Sequence, residues 1–306
     1  MEVNKIYNED CLETMAKMPD NFIDLIVTSP PYNIGINYDT YDDKMEWDKY
    51  FEWCEKWLKE CYRVLKPDGR IAINHYLSLG TSDYRVSPLS HINEIMLNIG
   101  FKHHTMAVWT DITLAKRTAW GSWLSASSPY INSPFEGVLV LYKDRWKKDR
   151  KGVSDIDKEE FIKLTRGIWN IKTETRGLTK ANFSVDFANK CVKLLSYQED
   201  LVYDPFMGSG TIGFVCKNNN RNYIGSEISQ EYCEIAEKRI SSVLPPSSVS
   251  SEGVSATYAS DAQALREGVQ GDGSLFYHLF PLLSPCRRDY AQQRFDLVQP
   301  VFIEPQ

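Results

Sequence analysis

A glycine-rich segment in the C-terminal half of the chain could hold a nucleotide-like ligand. Residues 204–213 read Asp-Pro-Phe-Met-Gly-Ser-Gly-Thr-Ile-Gly, and Gly208, Gly210 and Gly213 fit the pattern G-x-G-x-x-G. Glycine permits positive φ and a close approach of the backbone, and the free N–H groups of a following helix favour polar or anionic groups. Glu227 comes 17 residues after Gly210, where its carboxylate could hold ribose hydroxyls. The same glycines could instead form only a tight strand-to-helix turn.

A proline turn near the N-terminus offers groups that suit a planar amine. Residues 22–27 form a short apolar run that predicts a buried strand, and Ser29, Pro30, Pro31 and Tyr32 come soon after it. The two prolines fix φ and remove two backbone donors, which leaves carbonyl oxygens as acceptors. The Ser29 hydroxyl is a further acceptor, and Tyr32 offers a flat aromatic face. The exocyclic amine of a nucleobase fits such a site, whereas a rigid turn with a surface tyrosine is the structural alternative.

Alternating strand and helix patterns surround both segments. Strands are predicted at 22–27, 70–74, 135–142, 201–203 and 223–226, and helices at 47–65, 91–99, 183–195, 211–219 and 230–243. Residues 143–180 are charged and show no clear period. This alternation predicts an α/β fold, with a mostly parallel sheet and helices on both faces. Ligands of such sheets bind beyond the carboxyl ends of the strands, where both candidate segments fall.

The composition is that of a globular chain in a reducing compartment. The 306 residues are 42% hydrophobic and 25% charged, which suits one large α/β domain with an appendage. No apolar run approaches the ~20 residues that span a bilayer, and the polar N-terminus is unlike a signal peptide. Seven scattered cysteines without a Cys-x-x-Cys pair argue against structural zinc and against disulfides. We therefore expect a cytoplasmic protein with no membrane segment and no metal.

The net charge of the chain is −6, but the middle of the chain has an excess of basic residues. Residues 1–101 carry 10 basic and 17 acidic side chains, residues 102–180 carry 15 and 9, and residues 181–306 carry 10 and 15. A basic region between acidic flanks would suit a phosphate-binding surface. A solvated charged loop explains the same excess equally well.

In combination, the two candidate segments resemble the motifs of a known enzyme family. Ser-Pro-Pro-Tyr at 29–32, followed by Asp-Pro-Phe-Met-Gly-Ser-Gly-Thr at 204–211, is similar to the DNA amino-methyltransferases of the β group. That group methylates cytosine N4 or adenine N6, and its catalytic motif precedes its cofactor motif, as it does here. Asn-Glu-Asp-Cys-Leu-Glu at 8–13 and Leu-Ile-Val-Thr at 25–28 also match. The resemblance covers about residues 4–240.

This resemblance implies a Rossmann-like, S-adenosylmethionine-dependent methyltransferase fold. Residues 1–244 would form the methyltransferase domain, with the target-recognition region at about 102–180. Residues 241–260 are rich in Ser, Pro, Val and Ala, which is typical of a linker. We therefore interpret residues 245–306 as a linker and a tail of unassigned role.

S-adenosylmethionine is the cofactor that the resemblance implies. The residues that match the loop around its methionine and ribose portions are Asp204, Pro205, Phe206, Gly208, Ser209, Gly210 and Thr211. Glu227 matches the acidic residue on the ribose, and Asp10 and Cys11 match the segment beside the adenine ring. Phe183 and Ser184 fall in the family's other cofactor segment, whose usual His-Pro start is absent from this chain.

The resemblance also favours cytosine over adenine as the target base. Adenine enzymes of this family mostly carry Asp or Asn where this chain has Ser29, and Ser-Pro-Pro-Tyr is similar to the N4-cytosine group. The base would flip out of double-stranded DNA and stack near Tyr32. The Ser29 hydroxyl and the Pro30 carbonyl, in the turn that Pro31 completes, would then accept hydrogen bonds from the amine. Methylation of adenine N6, methylation of RNA or of a protein amide, and an inactive DNA-binding descendant are the alternatives. A dehydrogenase that uses the same glycine pattern is a further alternative, but it leaves Ser-Pro-Pro-Tyr unexplained.

DNA contacts are expected from the basic middle of the chain. The residues that could contact DNA are Lys116, Arg117, Trp120, Ser122, Trp123, Lys147 and Lys148. The tryptophan and serine residues resemble a segment of the N4-cytosine group, and the basic residues would neutralise phosphates. Exposure to solvent alone explains each basic residue equally well. A cognate restriction endonuclease and a second copy of the chain are further candidate partners.

Overall fold

The computed structural model describes residues 1–35, 43–80, 84–110, 122, 124–129, 131, 135–171 and 184–243. The described strands are β1 Lys5–Tyr7, β2 Ile23–Thr28, β3 Leu65–Tyr76, β4 Leu79–Gly80, β5 Arg85–Val86, β6 Lys102–Thr110, β7 Phe135–Tyr142, β8 Ile168–Asn170, β9 Leu201–Asp204 and β10 Asn222–Ser226. The described helices are α1 Cys11–Ala16, α2 Trp47–Val64, α3 Pro88–Ile99, α4 Lys158–Leu164, α5 Val185–Leu195, α6 Thr211–Asn218 and α7 Gln230–Ser241. The predicted linker and tail at 245–306 lie outside the described residues, so that assignment stays a prediction.

Eight of these strands form one sheet in the order β1-β10-β9-β2-β3-β7-β6-β8. Neighbouring strands are parallel except around β7, which runs antiparallel to both β3 and β6. Parallel sheets are covered on both faces, and all six residues of β2 are accordingly buried. The short strands β4 and β5 pair with each other. The mostly parallel sheet that the sequence predicts is confirmed.

Helices pack on both faces of the sheet because side chains alternate along each strand. In β2, Leu25 and Val27 belong to the core cluster that includes α5, α6 and α7. Ile23 and Ile26 belong to the cluster that includes α1, α2 and α3. Trp57 is fully buried in this second cluster, as its place in the i, i+3, i+4 pattern of α2 predicts. Each helical layer therefore holds one face of the strands that carry the candidate motifs.

One edge of the sheet gathers the segments that the sequence singles out. The parallel strands β1, β10, β9, β2 and β3 end there, and β7 begins there because it runs in the opposite direction. Asp10 comes after β1, Glu227 follows β10, the glycine loop 205–210 follows β9, and Ser29 follows β2. We call this side of the sheet the carboxyl edge. The opposite side, where the same parallel strands begin, is called the amino edge.

The structure departs from the predicted elements where the local pattern is weak. Residues 66–69, which the sequence assigns to a break after the helix, lie within β3, where the carbonyl of Pro67 accepts backbone N–H groups from the loop after β7. The charged stretch that begins at residue 143 contains α4 and β8, and their few apolar side chains, such as Leu164 and Trp169, are buried. Among the described residues, no helix is long and apolar enough to cross a membrane.

Candidate active site at the carboxyl edge

The glycine loop between β9 and α6 has a backbone conformation that favours glycine. Gly208 has φ of 51° and Gly210 has φ of 76°, both in the left-handed region. A Cβ atom on Gly208 would have no neighbour closer than the Phe206 carbonyl oxygen at 4.0 Å, so this glycine borders open space. A Cβ atom on Gly210 would lie 2.7 Å from Cβ of Ala236, so this glycine lets α6 pack on α7. Only the first of these glycines has room beside it for a ligand.

Other side chains of the loop hold it in place. Ser209 and Thr211 are buried, and their hydroxyl oxygens accept hydrogen bonds from Arg239 of α7 at 3.1 and 2.9 Å. The Phe206 ring packs against the indole rings of Trp53 and Trp57 in α2, with centroid distances of 5.4 and 5.3 Å. Pro205 is also buried. These contacts pre-shape the loop, which leaves backbone groups to face a ligand.

Two acidic residues, Glu227 and Asp10, follow the neighbouring strands β10 and β1 at the carboxyl edge. One carboxylate oxygen of Glu227 accepts the backbone N–H of Gly208 at 2.8 Å, and the other accepts that of Ser229 at 2.9 Å. Burial raises the pKa of Glu227. Asp10 caps α1 by accepting the backbone N–H of Leu12 at 2.7 Å. Each carboxylate oxygen has a second lone pair, so this donor and acceptor set fits the hydroxyl and amine groups of a nucleoside.

A hydrogen bond joins the glycine loop to the proline turn. One carboxyl oxygen of Asp204 accepts the hydroxyl of Thr28 at 2.8 Å and the backbone N–H of Phe206 at 3.0 Å. Both partners are neutral, and burial raises the pKa of Asp204 to about 7. Since Thr28 precedes Ser29 at the end of β2, the two predicted motifs are neighbours at the carboxyl edge.

The proline turn forms a hydrogen-bonded network of its own. The Ser29 hydroxyl donates to the Tyr32 hydroxyl at 2.7 Å. The Tyr32 oxygen also lies 2.8 Å from Oδ1 of Asn74 and 2.9 Å from Oε2 of Glu136. The carbonyl of Pro31, expected to remain an unopposed acceptor, instead accepts the Tyr50 hydroxyl of α2 at 2.7 Å. The turn is thus fixed from both sides by side chains that the sequence analysis does not single out.

The Tyr32 ring is half-buried rather than on the surface. Its centroid lies 4.6 Å from that of His75 and 5.0 Å from that of Tyr76, the latter edge-on. His75 is fully buried, and burial lowers its pKa to about 3, so its ring is neutral at physiological pH. The rings at the end of β3 therefore pack against the Tyr32 ring of the turn.

Sequence reasoning misses Asn74 and Glu136, although a signal for both exists. Asn74 is the last residue of a predicted strand, and Glu136 is the second residue of another. In the sheet, β3 and β7 are antiparallel, with Tyr76 opposite Glu136 and Asn74 opposite Val138. Polar residues at the two ends of such a pair meet at one edge, but the pairing of the strands is needed to see it.

The basic cluster at 147–151 lies at the amino edge. Nζ of Lys148 is 3.6 Å from a carboxylate oxygen of Asp200 and 4.0 Å from one of Asp24, and its side chain is 5% exposed. Asp24 is in the first half of β2, and Asp200 directly precedes β9. Lys148 is therefore removed from the predicted DNA contacts, because its ammonium group is buried against two carboxylates. Lys147 is exposed on the same loop, away from the turn at Ser29.

The remaining predicted site residues divide into two groups. Phe183, Lys116, Arg117, Trp120 and Trp123 lie outside the described residues. Among the described ones, Cys11 and Ser184 are buried at the first turns of α1 and α5, and Ser122 donates its hydroxyl to the Ser125 carbonyl at 2.7 Å. The part of the chain that the structure describes contains no group of three His, Cys, Asp or Glu side chains that could hold a metal ion.

Comparison with known proteins decides the family. Residues 23–238 match the sequence profile of the N6/N4 methyltransferases, described as DNA methylases. The chain belongs to this DNA methylase family. The type II methyltransferase M.MjaVI of Methanocaldococcus jannaschii is 44% identical over 172 residues, which are 56% of this chain and 87% of the relative. M.HpaI of Haemophilus parainfluenzae is 30% identical over 254 residues, 76% of this chain and 73% of the relative.

Solved structures confirm the methyltransferase fold. TTHA0409 of Thermus thermophilus, solved in complex with S-adenosyl-L-methionine, has a TM-score of 0.61 and 24% identity, covering 78% of this chain and 93% of its own. The cytosine-N4-specific PvuII DNA methyltransferase has a TM-score of 0.61 and 21% identity, covering 80% and 88%. At these identities the likeness is one of fold. The predicted Rossmann-like methyltransferase architecture is thereby confirmed.

Proposed function

We propose that this DNA methylase transfers a methyl group from S-adenosylmethionine to the N4 amine of cytosine in double-stranded DNA. Membership of the N6/N4 family supports methylation of an exocyclic amine. The observation that carries the choice of base is Ser29 in the turn at the end of β2, beside the loop at Gly208. Its Ser-Pro-Pro-Tyr sequence resembles the N4-cytosine group rather than the adenine enzymes, which mostly carry Asp or Asn there.

The cofactor would occupy the open space beside Gly208. S-adenosylmethionine, when bound, supplies a methyl group activated by a sulfonium. The residues proposed to hold it are Asp10, Cys11, Phe183, Ser184, Asp204, Pro205, Phe206, Gly208, Ser209, Gly210, Thr211 and Glu227. The open side of Gly208 and the lone pairs of Glu227 support this assignment, since a nucleoside needs both a close backbone approach and acceptors for its hydroxyls.

The proline turn would orient the amine of the flipped base. The Ser29 proton is used in the bond to Tyr32, so the lone pairs of the Ser29 oxygen remain as acceptors. A hydrogen bond from the target amine to Ser29, and one to the Pro30 carbonyl, would fix the nitrogen and aim its lone pair. Holding the amine and the methyl donor in this way makes the transfer effectively unimolecular. Such orientation lowers the activation free energy by about 7–11 kcal/mol in favourable cases.

The DNA would contact the segment that follows β6. This strand is parallel to β3 and ends at the carboxyl edge, and Lys116, Arg117, Trp120, Ser122 and Trp123 come after it in the chain. Lysine and arginine in such a segment would pair with phosphates, which position the duplex without reading its sequence. A restriction endonuclease of matching specificity, a second copy of the chain and a cytoplasmic location are parts of the same proposal.

Nucleoside mass spectrometry tests the choice of base. The purified full chain is incubated with S-adenosylmethionine and unmodified duplex DNA of mixed sequence, and the DNA is then digested to nucleosides. We expect N4-methylcytosine from the wild type and at least 100-fold less from Ser29→Ala. N6-methyladenine as the product would contradict the cytosine assignment while leaving the family intact. Methylation of RNA or of an added peptide, with none of DNA, would overturn the proposal.

A further inference from the structure

Glu136 is a half-buried acid next to the proline turn, and none of the roles assigned above involves it. It is the second residue of β7, in register with Tyr76 of β3 and Trp109 of β6. Its carboxylate lies 2.9 Å from the hydroxyl of Tyr32, which itself accepts a hydrogen bond from Ser29 at 2.7 Å. Two hydrogen bonds therefore link the proposed amine-binding hydroxyl to a carboxylate that the base does not need to touch.

The direction of these hydrogen bonds is set by the number of protons. Ser29 donates its one proton to Tyr32, so Tyr32 must send its own proton to another acceptor. In the described part of the chain, the acceptors within reach are Oδ1 of Asn74 at 2.8 Å and Oε2 of Glu136 at 2.9 Å. An ionised carboxylate is the stronger acceptor of the two, since charge-assisted hydrogen bonds are about twice as strong as neutral ones. The favoured chain runs from Ser29 through Tyr32 to Glu136.

The groups that face Glu136 make it a better base than an exposed carboxylate. Burial raises the pKa of Glu136, and the hydrogen bonds from Tyr32 and Asn74 oppose this effect only in part. Among the described residues, the titratable groups that face it are the phenols of Tyr32 in the turn and Tyr76 in β3, and the pKa of each is raised by burial and by the charge of Glu136. Both phenols already carry their protons at physiological pH, so Glu136 is the carboxylate to which the described part of this network leads.

We propose that Glu136 is the final acceptor of the proton that the target amine loses after methylation. Formation of the N–C bond leaves one proton too many on the amine. That proton moves to Oγ of Ser29 while the Ser29 proton moves to the Tyr32 oxygen and the Tyr32 proton moves to Oε2 of Glu136. The methylated base is left neutral, and Glu136 later returns the proton to solvent. Glu136 acts through two other residues and is thus a positioning residue.

The experiment measures methyl transfer in a single turnover as a function of pH. This inference rests on the proposed function, because it needs an amine that is methylated. The variants are Glu136→Gln, Tyr32→Phe and the double variant, and the control is Glu94→Gln, which removes an exposed carboxylate from α3. Cofactor affinity and the melting temperature are measured on the same samples. Replacing this half-buried carboxylate by a neutral amide should not lower the melting temperature, since partial burial disfavours the charge.

We expect Glu136→Gln to slow transfer at least 10-fold at neutral pH and to remove the fall in rate on acidification. Tyr32→Phe should remove the same fall, and the double variant should be no slower than the slower single one, because both break one chain. Cofactor affinity should stay within 2-fold. A wild-type rate or an unchanged pH profile in Glu136→Gln would overturn the inference, as would fully additive losses. No methyl transfer by the wild type would instead overturn the proposed function.

Discussion

Asp200 and Asp204 lie at opposite ends of one strand and have opposite surroundings. Asp200 directly precedes β9 at the amino edge, where it pairs with Lys148 at 3.6 Å and with Arg150. Asp204 ends β9 at the carboxyl edge, where it accepts hydrogen bonds from a hydroxyl and from a backbone N–H. Both residues are buried, but among the described residues only Asp200 has cations as partners.

The difference extends to the two edges as a whole. At the amino edge, Asp24 pairs with Lys66 at 2.8 Å and Asp155 pairs with Arg221 at 2.5 Å. At the carboxyl edge, the acids Asp204, Glu227 and Glu136 have hydroxyl or amide donors, and burial raises the pKa of each. Asp204 is buried and the two glutamates are half-buried, and carboxyl groups withdrawn from water without a cation cost free energy, so such a cluster is typical of a functional site. We infer that the amino edge stabilises the fold and that the carboxyl edge does the chemistry.

The largest expected effect comes from breaking the charge pairing at the amino edge. Asp200→Ala leaves the buried ammonium of Lys148 with one carboxylate at 4.0 Å, and we expect a loss of about 3–5 kcal/mol in the free energy of unfolding. Urea denaturation measures this loss. In Asp149→Ala, which breaks an exposed ion pair with Arg145, we expect no more than about 1 kcal/mol. Equal losses in the two variants would contradict the structural role of the amino edge.

A substitution in the glycine loop should also give a large effect, and this effect should concern cofactor binding rather than stability. Gly208→Val places a branched side chain in the open space at the carboxyl edge, so cofactor affinity should fall about 100-fold, which corresponds to about 2.7 kcal/mol. Isothermal titration calorimetry measures the affinity. Gly167→Val is the matched control, because Gly167 also has positive φ, at 70°, with nothing within 4 Å of its Cβ position. Unchanged affinity in Gly208→Val would refute the loop assignment.

Asp204 predicts a pH dependence of stability in the absence of ligand. In the folded protein the Asp204 carboxyl group keeps its proton up to about pH 7, whereas in the unfolded chain it releases the proton near pH 4. The free energy of unfolding therefore falls as the pH rises between these values. Asp204→Asn retains an oxygen for both hydrogen bonds and removes the charge. A shift of about three pKa units corresponds to about 4 kcal/mol, so we expect the variant to be more stable than the wild type by about that amount at pH 8 and equally stable at pH 4. A wild type that gains stability over this range relative to the variant would refute the raised pKa.

The smallest expected effect is a difference in DNA affinity between variants of two basic segments, one at Lys116 and Arg117 and one at Lys147. Replacing Lys116 and Arg117 by alanine should weaken DNA binding about 3- to 10-fold and lower the slope of log K against log salt by about 2. Lys147→Ala should change affinity less than about 2-fold, because this residue lies at the amino edge. Fluorescence anisotropy at several salt concentrations measures both. A larger loss for Lys147→Ala than for the pair would reverse the assignment of the two edges.

The sequence predicts the site as far as local patterns reach. Ser29, Gly208 and Glu227 each follow a predicted strand, so their meeting at the carboxyl edge follows from the rule for parallel sheets. Glu136 could not be found in this way, because it reaches Tyr32 through the antiparallel pairing of β3 with β7. If β7 were parallel to β3, the last residues of β7 would lie at the carboxyl edge, and Glu136 near its start would lie at the amino edge.

Charge patterns mislead for a related reason. Lys148 belongs to a basic run that suits DNA in sequence, yet its partners Asp24 and Asp200 lie 124 and 52 positions away and meet it only in the fold. The prediction counts basic residues without their partners. The end of a strand is a local feature that a sequence shows. An ion pair across the sheet instead depends on which distant segments of the chain become neighbours in the fold.

The most direct test compares one residue from each edge in the same assay. Single-turnover methylation of DNA and the free energy of unfolding are measured for Ser29→Ala and for Lys148→Met, each against the wild type. Ser29→Ala should lose at least 100-fold in rate, about 2.7 kcal/mol, with stability within about 0.5 kcal/mol. Lys148→Met should lose stability and keep the wild-type rate at temperatures where it is folded. A Ser29→Ala protein that methylates at the wild-type rate, or a Lys148→Met protein that is folded and inactive, would contradict the inference that the amino edge stabilises the fold and the carboxyl edge does the chemistry.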